Sequence, residues 1–97
     1  MKVRDLLTDE SKWTKHVYAL DAKKNPLADP LNPNAVCWCL GGAIEKCYPI
    51  LAERLAIYTR ITQRVKPEEV GSYVHRWNDT VGRTFAEVRA LVEELDI

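Results

Sequence analysis

The sequence predicts a mainly α (α+β) fold, four to five helices packed with a small N-terminal β-hairpin, in a single domain over residues 1–97. Three observations carry that expectation. Residues 13–22, WTKHVYALDA, mix aromatic and β-branched residues with polar ones, as a half-buried strand does. Lys23-Lys24-Asn25-Pro26 follows and turns the chain back around Leu27, closing a hairpin. Beyond residues 23–34, a segment with three of the five prolines, the apolar residues recur at helical spacing.

Taken in order, residues 3–7 form a short helix before the hairpin. Asn32 and Pro33 offer an N-cap and a first-turn proline, predicting a helix that runs to about Tyr48 and stops at Pro49. A second helix covers 50–65, with Leu51, Leu55, Tyr58 and Ile61 or Thr62 spaced for one buried stripe. Pro67 opens a third, where Glu68 and Glu69 favour the positive end of its dipole. Val70, Tyr73, Val74 and Trp77 give it a core-facing stripe at i, i+3, i+4 and i+7. Thr84 and Glu87 make a capping-box pair for the last helix, whose apolar face is Phe85, Val88, Leu91, Val92 and Leu95.

The bulk numbers bound the function. A chain of 97 residues buries roughly two-thirds of its unfolded surface without needing a metal or disulfides. Fourteen basic residues balance fourteen acidic ones. Phosphate binding relies on a positive field, so nucleic acid is not the expected partner. The opening MKVRDLLTDESKW has no signal-like apolar run, and no stretch approaches the ~20 apolar residues of a membrane span. A cytoplasmic protein with no membrane partner is expected, with its three cysteines reduced.

The stretch NPNAVCWCLGGAIEKC, residues 32–47, crowds those cysteines beside a tryptophan and a glycine pair. A zinc site needs ligands converging to about 2.0–2.3 Å from one point. On a helix turning about 100° per residue, Cys37 and Cys39 point about 160° apart, and Cys47 lies about 12 Å along the axis from Cys39. The Cys-x-x-Cys redox spacing is absent too. We expect no metal and no cofactor, with cysteine serving as a small buried hydrophobe. Gly41 and Gly42 each cost a helix about 0.8–1.0 kcal/mol relative to alanine. Close packing of the hairpin or a neighbouring helix on this small face explains them more simply than a flat ligand.

Several of these residues also form an ordered set: Trp13, Ala19-Leu20-Asp21, Trp38-Cys39 with Gly42-Ala43, Trp77-Asn78-Asp79, and Thr84 with Glu87-Val88. In this order the chain resembles a family of small bacterial and phage proteins catalogued as a domain of unknown function. It departs from the family at Leu20, where a basic residue is expected, and at Lys24, where a turn glycine is expected. The resemblance implies the fold and the motif positions and supplies no activity. It also implies that Cys39 belongs to the pattern while Cys37 and Cys47 are incidental.

Candidate sites follow from the same motifs. Trp77 reads as a core anchor, and Asn78 and Asp79 as helix-end residues bonding local backbone. The functional alternative gathers Asp21, Asn78 and Asp79 beside Trp38 and the small face of Cys39 and Gly42, as a site for a small ligand or a cation. His75 is expected at the surface, His16 faces either way, and neither Ser11 nor Ser72 sits in a nucleophile motif. Charge divides unevenly: 53–66 carries a local +3 and 84–97 a local −3. Two helices lying near each other account for that, with a matched partner surface in a homodimer as the functional alternative. The expected function is that of a non-enzymatic adaptor or modulator that binds a protein partner. Its phage or mobile-element origin is implied by the resemblance only. A small-ligand or cation site, with an enzyme as its extreme form, stands second. Nucleic-acid binding through 54–66 stands last.

Overall fold

The computed structural model describes residues 1–65 and 74–97. The elements run α1 (Val3–Leu6), a 3-10 turn (Glu10–Lys12), β1 (Ala19–Asp21), β2 (Pro26–Leu27), β3 (Ala35–Trp38), α2 (Leu40–Cys47), α3 (Leu51–Arg64), α4 (Val74–Asp79) and α5 (Phe85–Leu95). Five helices among the described residues pack around a three-stranded antiparallel sheet of order β2-β1-β3, a mixed α+β fold.

The hairpin forms with Ala19 opposite Leu27 and Leu20 opposite Pro26. Its first strand is shorter than the ten residues expected. His16 holds φ at 72°, a left-handed backbone that cannot continue a strand. Ahead of that kink, Trp13 makes a lone parallel bridge to Trp38, and the Thr14 amide donates to the Trp38 carbonyl at 3.0 Å.

The turn after β1 is built by Asp21. Its carboxylate accepts from the backbone amides of Lys23 at 2.9 Å and Asn25 at 2.8 Å, and its carbonyl accepts from Lys24 at 2.9 Å. Lys24 sits at φ 65°, in the left-handed region that favours glycine, the residue expected at this turn. A Cβ there costs about 1–2 kcal/mol, partly offset by the entropy glycine loses on folding. Lys24→Gly is therefore expected to stabilise the fold by about 0.5–1 kcal/mol. A urea midpoint equal to or below that of the parent chain would contradict it.

The largest departure from expectation lies at 32–48. Asn32 opens no helix; it caps a turn, its side chain accepting from Asn34 at 2.9 Å and its carbonyl from Ala35 at 3.0 Å. Residues 35–38 then pair with β1, Ala19 facing Trp38 and Leu20 facing Cys37, with an irregularity between Leu20 and Asp21. The outer edge of β1 leaves a row of backbone groups to satisfy, and the β-branched and aromatic side chains of Val36 and Trp38 suit a pleat. Long-range pairing thus overrides a good local helix start. The helix begins only at Leu40, capped by Cys39, whose Sγ accepts from the Gly42 amide at 3.3 Å. Cys37 lies on a strand, Cys39 on a cap and Cys47 at the helix end, so the helical geometry expected of the three thiols does not apply.

Helix α3 forms where expected but turns a different face inward. Ile57 and Ile61 are buried, as is Val65 just past its end, while Leu51 is 58% and Leu55 53% exposed. Of the expected stripe, Ile61 is buried and Tyr58 packs half-buried against the core, while Leu51 and Leu55 face outward, because the helix carries a second apolar side and the core takes the one centred on Ile57 and Ile61. Pro67, Glu68, Glu69, Val70, Ser72 and Tyr73 lie outside the described residues. The described remainder of that expected helix is α4, with Trp77 buried and Val74 half-buried.

The last helix matches expectation closely. Thr84 accepts from the Glu87 amide at 3.2 Å, and Glu87 accepts from the Thr84 amide at 2.9 Å, a reciprocal capping box. Val88, Leu91 and Val92 are buried, with Phe85 and Leu95 packed at the margin. Val3, Leu7, Leu40, Ile44, Ile61 and Ile97 complete the centre of the core. The two ends of the described chain are tied there: the Arg4 amide donates to the Ile97 carbonyl at 3.3 Å, and Arg89 donates to the carbonyls of Arg4 and Leu7.

Candidate functional site

Asn78 closes α4 and is fully buried, the one buried polar side chain among the described residues. Its Oδ1 accepts from Trp13 Nε1 at 2.6 Å and from the Leu40 amide at 3.0 Å. Its Nδ2 donates to the Thr14 carbonyl at 3.1 Å and to Asp79 at 2.9 Å. All four bonding positions of the amide are filled. The Leu40 amide is one of the orphan donors at the start of α2, so Asn78 caps that helix from a distant part of the chain.

Asp79 extends the network outward. Its Oδ1 also accepts from the His16 amide at 2.9 Å, and its Oδ2 lies 3.8 Å from His16 Nδ1. The carboxylate thereby holds the backbone of His16 in its left-handed conformation. Trp13, at the other end of that segment, packs against Phe85 with ring centroids 6.2 Å apart, and Lys15 sits over its ring. Sequence reasoning missed this role of Trp13 and His16. Trp13 belongs to the ordered motif set, yet no local spacing links it to a residue 65 positions away.

Gly42 stands where α2 meets the strand entering β1. A Cβ built there would lie 2.1 Å from the Tyr18 carbonyl oxygen and 3.0 Å from its carbon. The same carbonyl accepts from the Cys39 amide at 3.3 Å, which draws the two backbones together. The small face therefore receives a backbone from the hairpin side. Trp38 and Trp77 are likewise satisfied within the chain. Trp38 Nε1 donates to the Pro30 carbonyl at 3.0 Å. Trp77 carries the Arg83 guanidinium 4.1 Å over its ring, and Arg83 Nε donates to the Trp77 carbonyl at 3.0 Å.

Asp21 stands apart from this network. Its carboxyl bonds Lys23 and Asn25 of its own turn, and the Asn25 amide holds it below the usual carboxylate range. The hollow it lines is shared with Ala22, Lys23, Asn25 and Asn34. Asp79 lines a different one, a cavity of about 130 Å³ with His16, Val17, Tyr18, Cys39 and His75. The structure thus brings Asn78 and Asp79 to the N-terminus of α2, beside Cys39, and places Asp21 in a separate turn.

The chemistry open to the Asp79 cavity is limited. Ligand pockets usually run to about 300–1,000 Å³, well above this volume. Burial pushes the Cys39 thiol up, the Gly42 amide opposing and the Asp79 charge adding to the rise. Such a thiol is protonated at neutral pH and is a poor nucleophile. Among the described residues, no group of three or more His, Cys, Asp or Glu side chains is arranged to hold a metal ion.

Part of the uneven charge is met inside the chain, and Lys66 lies outside the described residues. Arg64 on α3 pairs with Glu94 on α5 at 2.6 Å, and Arg60 donates to the Leu95 carbonyl. What remains at the surface of α3 is a face without charge. Leu51, Ala52, Leu55, Ala56, Thr59 and Gln63 are exposed, with Tyr58 and Thr62 half-buried beside them. At about 100° per residue, Glu53, Arg54, Arg60 and Arg64 all fall on other sides of the helix. Ile50, 60% exposed, extends the apolar surface at its N-terminal end.

The chain matches, over residues 1–95, the model of a family of unknown function (DUF6197), and it belongs to that family. No curated protein and no solved structure matches it. Among the described residues, no helix is long and apolar enough to cross a membrane.

Proposed function

We propose that this member of a family of unknown function is a non-enzymatic cytosolic protein that binds another protein, as an adaptor or modulator, through the uncharged face of α3. One observation carries the reading: Leu51 and Leu55 are more than half exposed on a helix face with no charged residue. Contiguous exposed apolar surface is uncommon on proteins that work alone and marks interaction sites. A helix presenting apolar residues at i, i+4 and i+7 is a common docking element. The residues that look most like chemistry in the sequence support the same conclusion from the other side. Trp38, Cys39, Gly42, Trp77 and Asn78 are buried and engaged in holding the fold. The resemblance to small bacterial and phage proteins supports a bacterial, phage or mobile-element setting.

Capture from a bacterial lysate tests the reading, with the parent chain and Leu55→Arg as baits. Because Leu55 is exposed, the substitution should change stability by no more than about 0.5 kcal/mol. Proteins captured by the parent chain should be lost from the variant. A full set of captured proteins on a folded Leu55→Arg bait would rule out α3 as the docking face. Retention by wild-type protein of a small metabolite or cation, lost in Asp79→Ala, would favour instead a site at the 130 Å³ cavity.

A further inference from the structure

We infer that the partner places the end of one basic side chain, a lysine ammonium or an arginine guanidinium, in the cavity beside Asp79; the inference rests on reading the chain as one that binds a protein. The cavity is lined by His16, Val17 and Tyr18 of the segment entering β1, by Cys39 at the start of α2, and by His75 and Asp79 of α4. Its volume of about 130 Å³ is small for a whole ligand. At the ~30 Å³ that a water takes, it holds about four groups of that size, which suits a guanidinium or an ammonium with its last methylenes.

Charge selects a cation. Asp79 supplies the one carboxylate among the lining residues, and that carboxylate is half used. Its Oδ1 accepts from the His16 amide and from Asn78 Nδ2, both at 2.9 Å. Its Oδ2 has, among the described residues, only the His16 ring, whose Nδ1 at 3.8 Å lies beyond hydrogen-bond reach. That ring is 73% exposed and can turn away. Lys15, next to His16 in sequence, is held at the Thr80 carbonyl and over the Trp13 ring. A carboxylate with one oxygen unsatisfied at a cavity wall attracts a charged donor and repels an anion. The other walls fit the stem of a basic side chain. Val17 and the protonated Cys39 thiol give apolar contact, and the half-exposed Tyr18 offers its ring to the cation. The cavity also adjoins the proposed docking face. Burial raises the pKa of the Tyr58 hydroxyl, and Tyr18 and Cys39 stand close enough to add to the rise. Tyr58 borders the uncharged face of α3, so a chain lying on α3 can reach the cavity.

Heteronuclear NMR of the full chain tests the inference, with Nα-acetyl-lysine methylamide as the probe and Nα-acetyl-norleucine methylamide as its uncharged match. The lysine probe should shift the His16 amide, which donates to Asp79, saturably in about the millimolar range. Added sodium chloride should weaken that binding, and the norleucine probe should leave the amide unmoved. Asp79→Asn keeps an oxygen for the His16 amide and removes the charge. It should retain the parent circular dichroism spectrum and weaken the lysine probe at least about tenfold. No saturable shift in the parent chain, a shift insensitive to salt, an equal shift from norleucine, or undiminished binding by folded Asp79→Asn would each overturn the inference. In lysate capture, an Asp79→Asn bait should lose the proteins that Leu55→Arg loses. Their retention on Asp79→Asn would overturn the inference and leave the α3 reading standing. Loss from Asp79→Asn with retention on Leu55→Arg would overturn the α3 reading alone. A free amine carried through purification, seen by native mass spectrometry of the parent chain, would overturn the inference in favour of a small-molecule site.

Discussion

Asn78→Ala should cost about 3–5 kcal/mol, the sum of a cavity and of two donors left without their acceptor at about 1–3 kcal/mol each, the Leu40 amide buried and the Trp13 indole part-buried. The donors are Trp13 Nε1 and the Leu40 amide, both bonded to the same Oδ1 at 2.6 and 3.0 Å. Losing them loosens two joints at once, the segment before β1 and the start of α2. Asn78→Asp separates the two halves of the amide. It keeps an acceptor for Trp13 and Leu40, but it sets a carboxylate oxygen against the Thr14 carbonyl and beside Asp79, where Nδ2 now donates. Buried like-charge carboxylates disfavour ionisation, so Asn78→Asp should lose stability as pH rises through its own elevated pKa, while Asn78→Ala should not share that dependence. Chemical denaturation at two pH values distinguishes the pair. A loss below about 1 kcal/mol for Asn78→Ala, typical of a single exposed hydrogen bond, would show that the network is incidental.

Gly42→Ala is the second large effect, expected at about 3 kcal/mol, the upper end of the usual overpacking range. The added methyl meets the Tyr18 carbonyl oxygen at 2.1 Å, a backbone atom that no rotamer change can move aside. Alanine's helix propensity returns at most about 1 kcal/mol. In a domain of this size the net loss, about 2–3 kcal/mol, lowers the melting temperature by roughly 8–24 °C. Gly41→Ala is the matched control. Its Cβ finds only Cys39 Sγ, at 3.9 Å, which is ordinary contact. That substitution should be neutral or stabilising by up to about 1 kcal/mol. Cys47→Ser, at the half-buried last position of α2, should fall between the two. Similar melting temperatures for Gly41→Ala and Gly42→Ala would mean that the sheet does not press on this helix.

These two residues show what kind of information the chain carries locally. Its amino-acid order by itself determined the elements whose signals are short in range. Thr84 and Glu87 cap α5 because a hydroxyl and a carboxylate three residues apart reach each other's amides whatever surrounds them. The turn from Asp21 to Pro26 closes for a similar reason, with the Asp21 carboxylate accepting from amides two and four residues on and Lys24 in the left-handed region. The cost of Gly41 and Gly42 in a helix signalled a close approach, and Gly42 supplies it. The tertiary structure decided the rest, wherever a residue's partner lies far along the chain. Residues 35–38 are a strand because the edge of β1 requires a partner, and an N-cap with a proline cannot outweigh that pairing. On α3, both apolar faces carry a helical period, and only the shape of the core selects Ile57 and Ile61 over Leu51 and Leu55. The Trp-Asn-Asp motif was visible as a motif, yet its meaning depends on Trp13, Thr14, His16 and Leu40, between 38 and 65 residues away. Spacing reports contacts within a turn or two of one element. It is silent about which surfaces meet when separate elements fold together, because that choice is made by packing and by the need to satisfy every buried polar group.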